Sequence, residues 1–147
     1  MRQRQIKSQQ LGLTLFETIV IMVIIGGLAT LILPDFMVKK HQNDWEQAVS
    51  DIVMLQDAMN KYKHDNGRYP TTQQGLAALI KKPTIPPVPQ KYRPNGYIRQ
   101  LPKDPWGHNY LMLNPGKHGP IDIFSKGPDG RSGTVQDVGN WDINIPD

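Results

Sequence analysis

Cysteine is absent from the chain, so no disulfide can staple it and no thiolate can hold zinc or act as a nucleophile. His41, His64, His108 and His118 are scattered, with no pair at metal-ligand spacing. No serine sits in a G-x-S-x-G elbow, and no glycine-rich loop ends in G-K-S or G-K-T. These absences argue against an enzyme. Long apolar runs are scarce as well: only Leu11 to Leu33 forms one, and its only charge is Glu17.

That run organises the chain. Leu13 to Leu33, at about 1.5 Å per helical residue, just spans a bilayer core of about 30 Å. Before it stand Arg2, Arg4 and Lys7 and no acidic residue, which keeps the N-terminus cytoplasmic and sends the remainder across the membrane. A secretory signal has a shorter apolar core and ends in a small-x-small cleavage site. Here the polar leader meets Gly12, the apolar run begins at Leu13, and Glu17 comes soon after inside it. A carboxylate at that depth costs several kcal/mol and marks a functional position. A cut between Gly12 and Leu13 would supply its partner, a new amine at the same depth. The plainer reading is a single-pass anchor with a stray Glu near its start. Loss of residues 1–12 removes three cations and no anion, so the formal charge falls from +4 to +1; the basic pI belongs largely to the leader and does not indicate nucleic-acid binding.

Gly12-Leu13-Thr14-Leu15-Phe16-Glu17 resembles the class III signal of type IV pilins and type II secretion pseudopilins. Leu13 departs conservatively from the family's usual Phe. The resemblance implies cleavage after Gly12 by a prepilin peptidase, N-methylation of Leu13, and Glu17 facing the N-terminus of a neighbouring subunit. Pilins commonly carry a C-terminal disulfide, and its absence favours the pseudopilin branch.

Beyond the run the pattern is helical from Phe36 to about Asn66. Trp45, Val49, Ile52, Leu55, Met59 and Tyr62 fall on one stripe, the core face of a helix that continues out of the membrane segment. Pro34 closes the apolar run and bends or loosens this helix, with local melting between Gly26 and Pro34; Gly26-Gly27 adds flexibility or permits close helix packing. Asn66-Gly67 reads as a left-handed cap. Thr71 with Gln74 forms a capping box, which predicts a short second helix to about Lys81. Seven prolines between residues 83 and 105 exclude a continuous helix or central strand, and Tyr92, Tyr97, Ile98, Leu101 and Trp106 anchor the stretch as a packed loop rather than a disordered linker. Strands are expected at 109–113 and 121–125 around a hairpin-like connection, with a last short strand including Trp141-Asp142-Ile143. The fold class is α+β, a long N-terminal helix packed on a small antiparallel sheet.

Ser125 to Trp141 is glycine-rich, with Asp129 and Asp137 bracketing the loop. Hard calcium takes six to eight oxygens, many from backbone carbonyls, so such a loop suits it; the spacing is not that of an EF-hand. The other reading is a turn region in which Asp side chains cap their own backbone. Gly67-Arg68-Tyr69-Pro70-Thr71-Thr72, Leu101-Pro102-Lys103-Asp104-Pro105-Trp106-Gly107, Pro115-Gly116-Lys117-His118-Gly119, Asp122-Ile123-Phe124-Ser125 and Gly139-Asn140-Trp141 together resemble the major pseudopilin family of type II secretion. That resemblance implies a structural calcium held by the carbonyls of Lys126 and Thr134 and the side chains of Asp129, Gln136 and Asp137. Gln136 stands where an Asp is usual, and the lost charge weakens affinity.

The resemblance implies three segments: a cleaved leader (1–12), a transmembrane and filament-core helix (13–37) and a periplasmic globular domain (38–147). The expected function is a structural subunit that polymerises into a periplasmic pseudopilus, an open head-to-tail assembly driving export of folded proteins across the outer membrane. Glu17 would register each incoming subunit, with Pro34 shaping the core helix. Expected partners are other copies, minor pseudopilins, the prepilin peptidase, and an inner-membrane platform with its secretion ATPase, but no nucleic acid. Localisation is the bacterial inner membrane, single-pass, and the periplasm after assembly. The alternatives are a type IV pilin serving adhesion, motility or DNA uptake, and a membrane-anchored periplasmic binding module that never polymerises.

Overall fold

The computed structural model describes residues 14–143, and of residues 29–37 the backbone alone. Two compact units divide the chain, one ending at Lys40 and the other beginning at His41. The expected long helix is α1 (Leu15–Asn66), which contributes residues to both.

Thr14 starts α1 with a cap that the sequence reading overlooked. Its Oγ1 accepts the Glu17 N–H at 3.2 Å and its carbonyl accepts the Thr18 N–H at 3.0 Å, so a donor without an intrahelical partner is satisfied. The helical backbone continues through Gly26, Gly27 and Pro34. The loosening expected there is therefore not found: a proline deletes one N–H, and the turns on either side stay helical. The far end closes as expected. Asn66 Nδ2 donates to the Tyr62 carbonyl at 3.0 Å, and Gly67 adopts φ 74°, a left-handed conformation that glycine takes without a Cβ clash.

In the first unit, Leu15, Phe16, Met22, Val23 and Ile25 are all exposed, Leu15 by 81%. Among the described residues, no helix is long and apolar enough to cross a membrane. Leu13 and the side chains of residues 29–33, which complete the apolar run, lie outside them.

In the second unit, the predicted stripe is the core face. Ile52, Leu55, Met59 and Tyr62 are fully buried, joined by Ala48 and Ala58, while Trp45 at the margin stays 43% exposed. These side chains meet Leu76, Leu79, Tyr110, Met112, Ile121, Ile123 and Val138 in one cluster. Each large aliphatic side chain so buried contributes about 1.5–3 kcal/mol.

The capping box forms reciprocally, with Gln74 N–H on Thr71 Oγ1 at 3.2 Å and Thr71 N–H on Gln74 Oε1 at 3.1 Å. It leads into a 3-10 helix at Leu76–Leu79 rather than the longer helix expected to Lys81. Two causes are visible. Gly75 has φ 59°, which breaks a right-handed spiral, and the Leu79 carbonyl accepts the Tyr97 N–H at 2.7 Å instead of continuing the helix. Residues 80–110 hold no helix or strand beyond an isolated bridge between Lys103 and Asn109. Tyr92, Tyr97, Ile98, Leu101 and Trp106 pack against the core, so the proline-rich stretch is a packed loop. Tyr62, Tyr92 and Tyr97 meet at centroid distances of 5.2 to 6.3 Å, in tilted and edge-on contacts that aromatic rings favour.

Three strands make the antiparallel sheet: β1 (Leu111–Leu113), β2 (Asp122–Ser125) and β3 (Val138–Gly139), with β2 central. Met112 pairs with Ile123, and Ser125 with Val138. The third strand thus lies before Trp141, not at 141–143. Asn140 explains the shift. Its Oδ1 accepts the Ile123 N–H at 3.0 Å and its own N–H bonds the Ile123 carbonyl at 3.0 Å, so a side chain takes the place of the next ladder residue. The chain then turns, and Trp141 stacks on His118 with centroids 4.0 Å apart. Asn140 Nδ2 also reaches Gln56 Oε1 at 2.9 Å, and Tyr110 Oη donates to Asp51 Oδ2 at 2.8 Å. These two bonds pin the sheet to α1.

Candidate functional site

The residues singled out from the sequence lie at two places. At the first, Glu17 is exposed in the opening turn of α1, where the unpaired N–H groups of a helix start favour a carboxylate. The Gly12–Leu13 bond and the Leu13 amine lie outside the described residues, as does the side chain of Pro34.

The second place is the loop between β2 and β3. Its neck is the Ser125–Val138 pair. Next to the neck, Gly127 has φ 64° and packs so closely on the Gln136 carbonyl that a Cβ has no room; only glycine satisfies both conditions. Asp129 Oδ1 accepts the Arg131 N–H at 3.0 Å, and Asp137 Oδ2 accepts the Gly133 N–H at 2.7 Å, so both aspartates brace turns of their own loop. The Thr134 carbonyl accepts the Asp137 N–H at 3.2 Å. Each bond uses one oxygen. Asp137 Oδ1, the other oxygen of its carboxylate, is buried and has no hydrogen-bond partner, an arrangement a cation would relieve. Lys126, Asp129, Thr134, Gln136 and Asp137 thus offer two carboxylates, one amide and two carbonyls, a donor set fitting a hard cation such as calcium. Among the described residues, no group of three or more His, Cys, Asp or Glu side chains gathers as a metal site, so a cation in this loop would depend on the neutral oxygens.

Beside the neck lies a buried network that sequence reasoning missed. Asp104, 4% exposed, accepts the hydroxyl of Ser125 on Oδ2 at 2.5 Å. Its Oδ1 accepts the backbone N–H of Trp106 at 3.1 Å and of His108 at 2.7 Å. Ser125 Oγ in turn accepts the Gly127 N–H at 2.9 Å. Asp104 and Ser125 stand 21 residues apart, and only the local half of this network, an aspartate opening an Asp-Pro-x-Gly turn, was readable in advance.

A second buried carboxylate, Asp122, fastens the β1–β2 connection. It accepts the Lys117 N–H at 2.8 Å and the His118 N–H at 3.1 Å, and meets His118 Nδ1 at 3.0 Å. Gly116 lies close against Asp122 Oδ1. Burial opposes ionisation of Asp122, yet these hydrogen bonds and the His118 ring outweigh it, and its pKa lies below the ordinary 3.8.

A long capped helix, a three-stranded antiparallel sheet and a tightly necked loop between its last two strands accord with the pseudopilin class that the sequence motifs resemble. Comparison with known proteins gives the same class. The sequence profile described as "Type II secretion system (T2SS), protein G" matches residues 35–141. The chain is 55% identical over 137 residues to the type II secretion system core protein G of Aeromonas hydrophila, covering 93% of this chain and 96% of that one. It is 54% identical over 136 residues to the protein of the same name from Pectobacterium carotovorum subsp. carotovorum, covering 92% and 87%. Among solved structures, the crystal structure of the major pseudopilin from the type 2 secretion system of enterohaemorrhagic Escherichia coli superposes with a TM-score of 0.71 at 52% identity, over 75% of this chain and 96% of that one. The chain belongs to the type II secretion system protein G family.

Proposed function

We infer that this chain is a structural subunit of the pseudopilus of a type II secretion system. The observation that carries this reading is the likeness to a major pseudopilin across 96% of that chain. The family is structural, and its members build a periplasmic filament with other components of the secretion system.

In the fuller reading, the chain enters the inner membrane through residues 13–33 and is cut after Gly12 by a prepilin peptidase, with Leu13 N-methylated. The globular domain, 38–147, then lies in the periplasm. The apolar run and the Arg2, Arg4 and Lys7 flank support this placement. Glu17 pairs with the Leu13 amine of a neighbouring subunit, which registers each addition to an open helical assembly. Minor pseudopilins, an inner-membrane platform and its ATPase are the partners, and filament growth pushes folded proteins outward.

The carbonyls of Lys126 and Thr134 and the side chains of Asp129, Gln136 and Asp137 would hold a calcium ion, which would supply the loop with the staple that a chain without cysteine lacks. The unpartnered Asp137 Oδ1 supports this assignment.

Polymerisation is tested by overproducing the chain together with a related secretion platform and imaging sheared material by electron microscopy. Filaments labelled by an antibody to this chain are the expected result. A chain that remains monomeric in the inner membrane under those conditions would overturn the assignment.

A further inference from the structure

We propose that Asp104 and Ser125 are positioning residues that preset the 126–137 loop for its cation from outside the loop. The proposal rests on the calcium assignment above and extends it to groups that touch no ligand oxygen.

A loop that binds through backbone carbonyls must have its main chain fixed before the ion arrives, because every residue it orders on binding subtracts from affinity. Ser125 is the last residue of β2, one position before the Lys126 carbonyl. Its hydroxyl has one proton to give and two lone pairs to offer. The proton goes to Asp104 Oδ2 at 2.5 Å, and one lone pair takes the Gly127 N–H at 2.9 Å. The Lys126–Gly127 peptide, which carries the Lys126 carbonyl, is thereby held. Gly127 in turn abuts the Gln136 carbonyl, so fixing Gly127 also fixes where the returning arm, Gln136 and Asp137, meets the outgoing one.

The 104–108 turn touches the loop a second time. Asp104 holds the His108 N–H at 2.7 Å, and the His108 ring lies against Gly130, with Nε2 3.1 Å from where a Cβ would stand. Residues 104–108 therefore underpin the loop both at its neck and at Gly130. Asp104 is buried, and beyond the two N–H groups of its own turn its second oxygen is turned to Ser125. A group that only fills space would not need to aim two oxygens at three donors. Outer groups that orient ligands in this way typically change metal affinity by about 10- to 100-fold when removed.

The test uses the full chain in detergent, with calcium chloride as the probe. Isothermal titration gives Kd at a temperature where every variant is folded, and thermal unfolding without calcium gives intrinsic stability. Ser125→Ala and Asp104→Asn are expected to weaken Kd by about tenfold or more. Ile52→Val, a core truncation on α1, should lower the melting temperature without calcium and leave Kd unchanged. Ser125→Thr, which keeps the hydroxyl, should restore the wild-type Kd. A wild-type Kd in Ser125→Ala or Asp104→Asn, with only the calcium-free melting temperature lowered, would overturn the proposal and leave the calcium reading standing. A wild-type chain that takes no calcium at millimolar concentration would sink both.

Discussion

Two stretches of the same helix contrast sharply. From Leu15 to Leu28, α1 is apolar on every side, and Leu15, Phe16, Ile19, Val20, Ile21, Met22, Val23, Ile24, Ile25 and Leu28 are all exposed. From Ala48 to Tyr62 the apolar residues keep to one stripe, and Ile52, Leu55, Met59 and Tyr62 reach zero exposure. A striped helix is completed by its own domain; a helix apolar all round needs an apolar surrounding that its own fold does not provide. The second stretch is completed by the sheet; the first leaves an apolar surface exposed, which the proposed function assigns to lipid and to other copies. Glu17, at the head of the first stretch, is its one charged residue, and in the proposed function it is the group that would give such packing a register.

The largest effect that could break this contrast is a core truncation. Leu55→Ala should cost about 2–5 kcal/mol of domain stability in chemical denaturation, because the buried site cannot collapse onto the cavity. A loss below about 1 kcal/mol would mean the second stretch is no more committed to a core than the first. Next comes the loop. At a hundredfold excess over Kd, calcium should stabilise the wild type by about 2.7 kcal/mol, an increment that Asp137→Ala should abolish; an equal calcium response in both would remove Asp137 from the site.

Acid should act through Asp122. Its folded pKa lies below 3.8, so its contribution is fully present above the unfolded value and is lost as pH falls through the folded one. Stability of the wild type should therefore drop below about pH 4 more steeply than that of Asp122→Asn. Parallel pH profiles would contradict this. In alkali the sign reverses. Burial first, and the neighbouring Tyr97 and Tyr62 second, push Tyr92 up to about 12, so its contribution is present below the unfolded value and fades as pH climbs through the folded one. Absorbance titration at 295 nm should show a smaller late phenolate step in Tyr92→Phe, because Tyr62, Tyr97 and Tyr110 are also raised. The smallest effect belongs to the surface: the exposed Lys61–Asp57 pair at 2.6 Å should contribute no more than about 0.5 kcal/mol, as read from Lys61→Ala.

What the sequence made legible was local. The stripe on α1, the Asn66-Gly67 end and the Thr71–Gln74 cap all arise from spacings of a few residues, and all three are present. Two of the errors have a non-local cause. The second helix shortened to a 3-10 turn because Tyr97 takes the Leu79 carbonyl, and the third strand moved because Asn140 bonds Ile123 across the sheet. The loop's own residues could be named from composition and family likeness, whereas the Asp104–Ser125 support could not, because no local period connects residues 21 apart. Thr14 was readable in principle: Thr-x-x-Glu before an apolar run is itself a capping signal, masked by the stronger processing pattern on the same residues.

The most direct test of the central claim is complementation. A type II secretion strain lacking its own major pseudopilin would receive this chain, or its Glu17→Ala variant, with export of a folded exoprotein measured beside membrane levels of the subunit. Export restored by the wild type, and lost in Glu17→Ala at equal membrane levels, is the predicted result. Wild-type export from the Glu17→Ala chain, or none from the wild-type chain at normal membrane levels, would contradict the account.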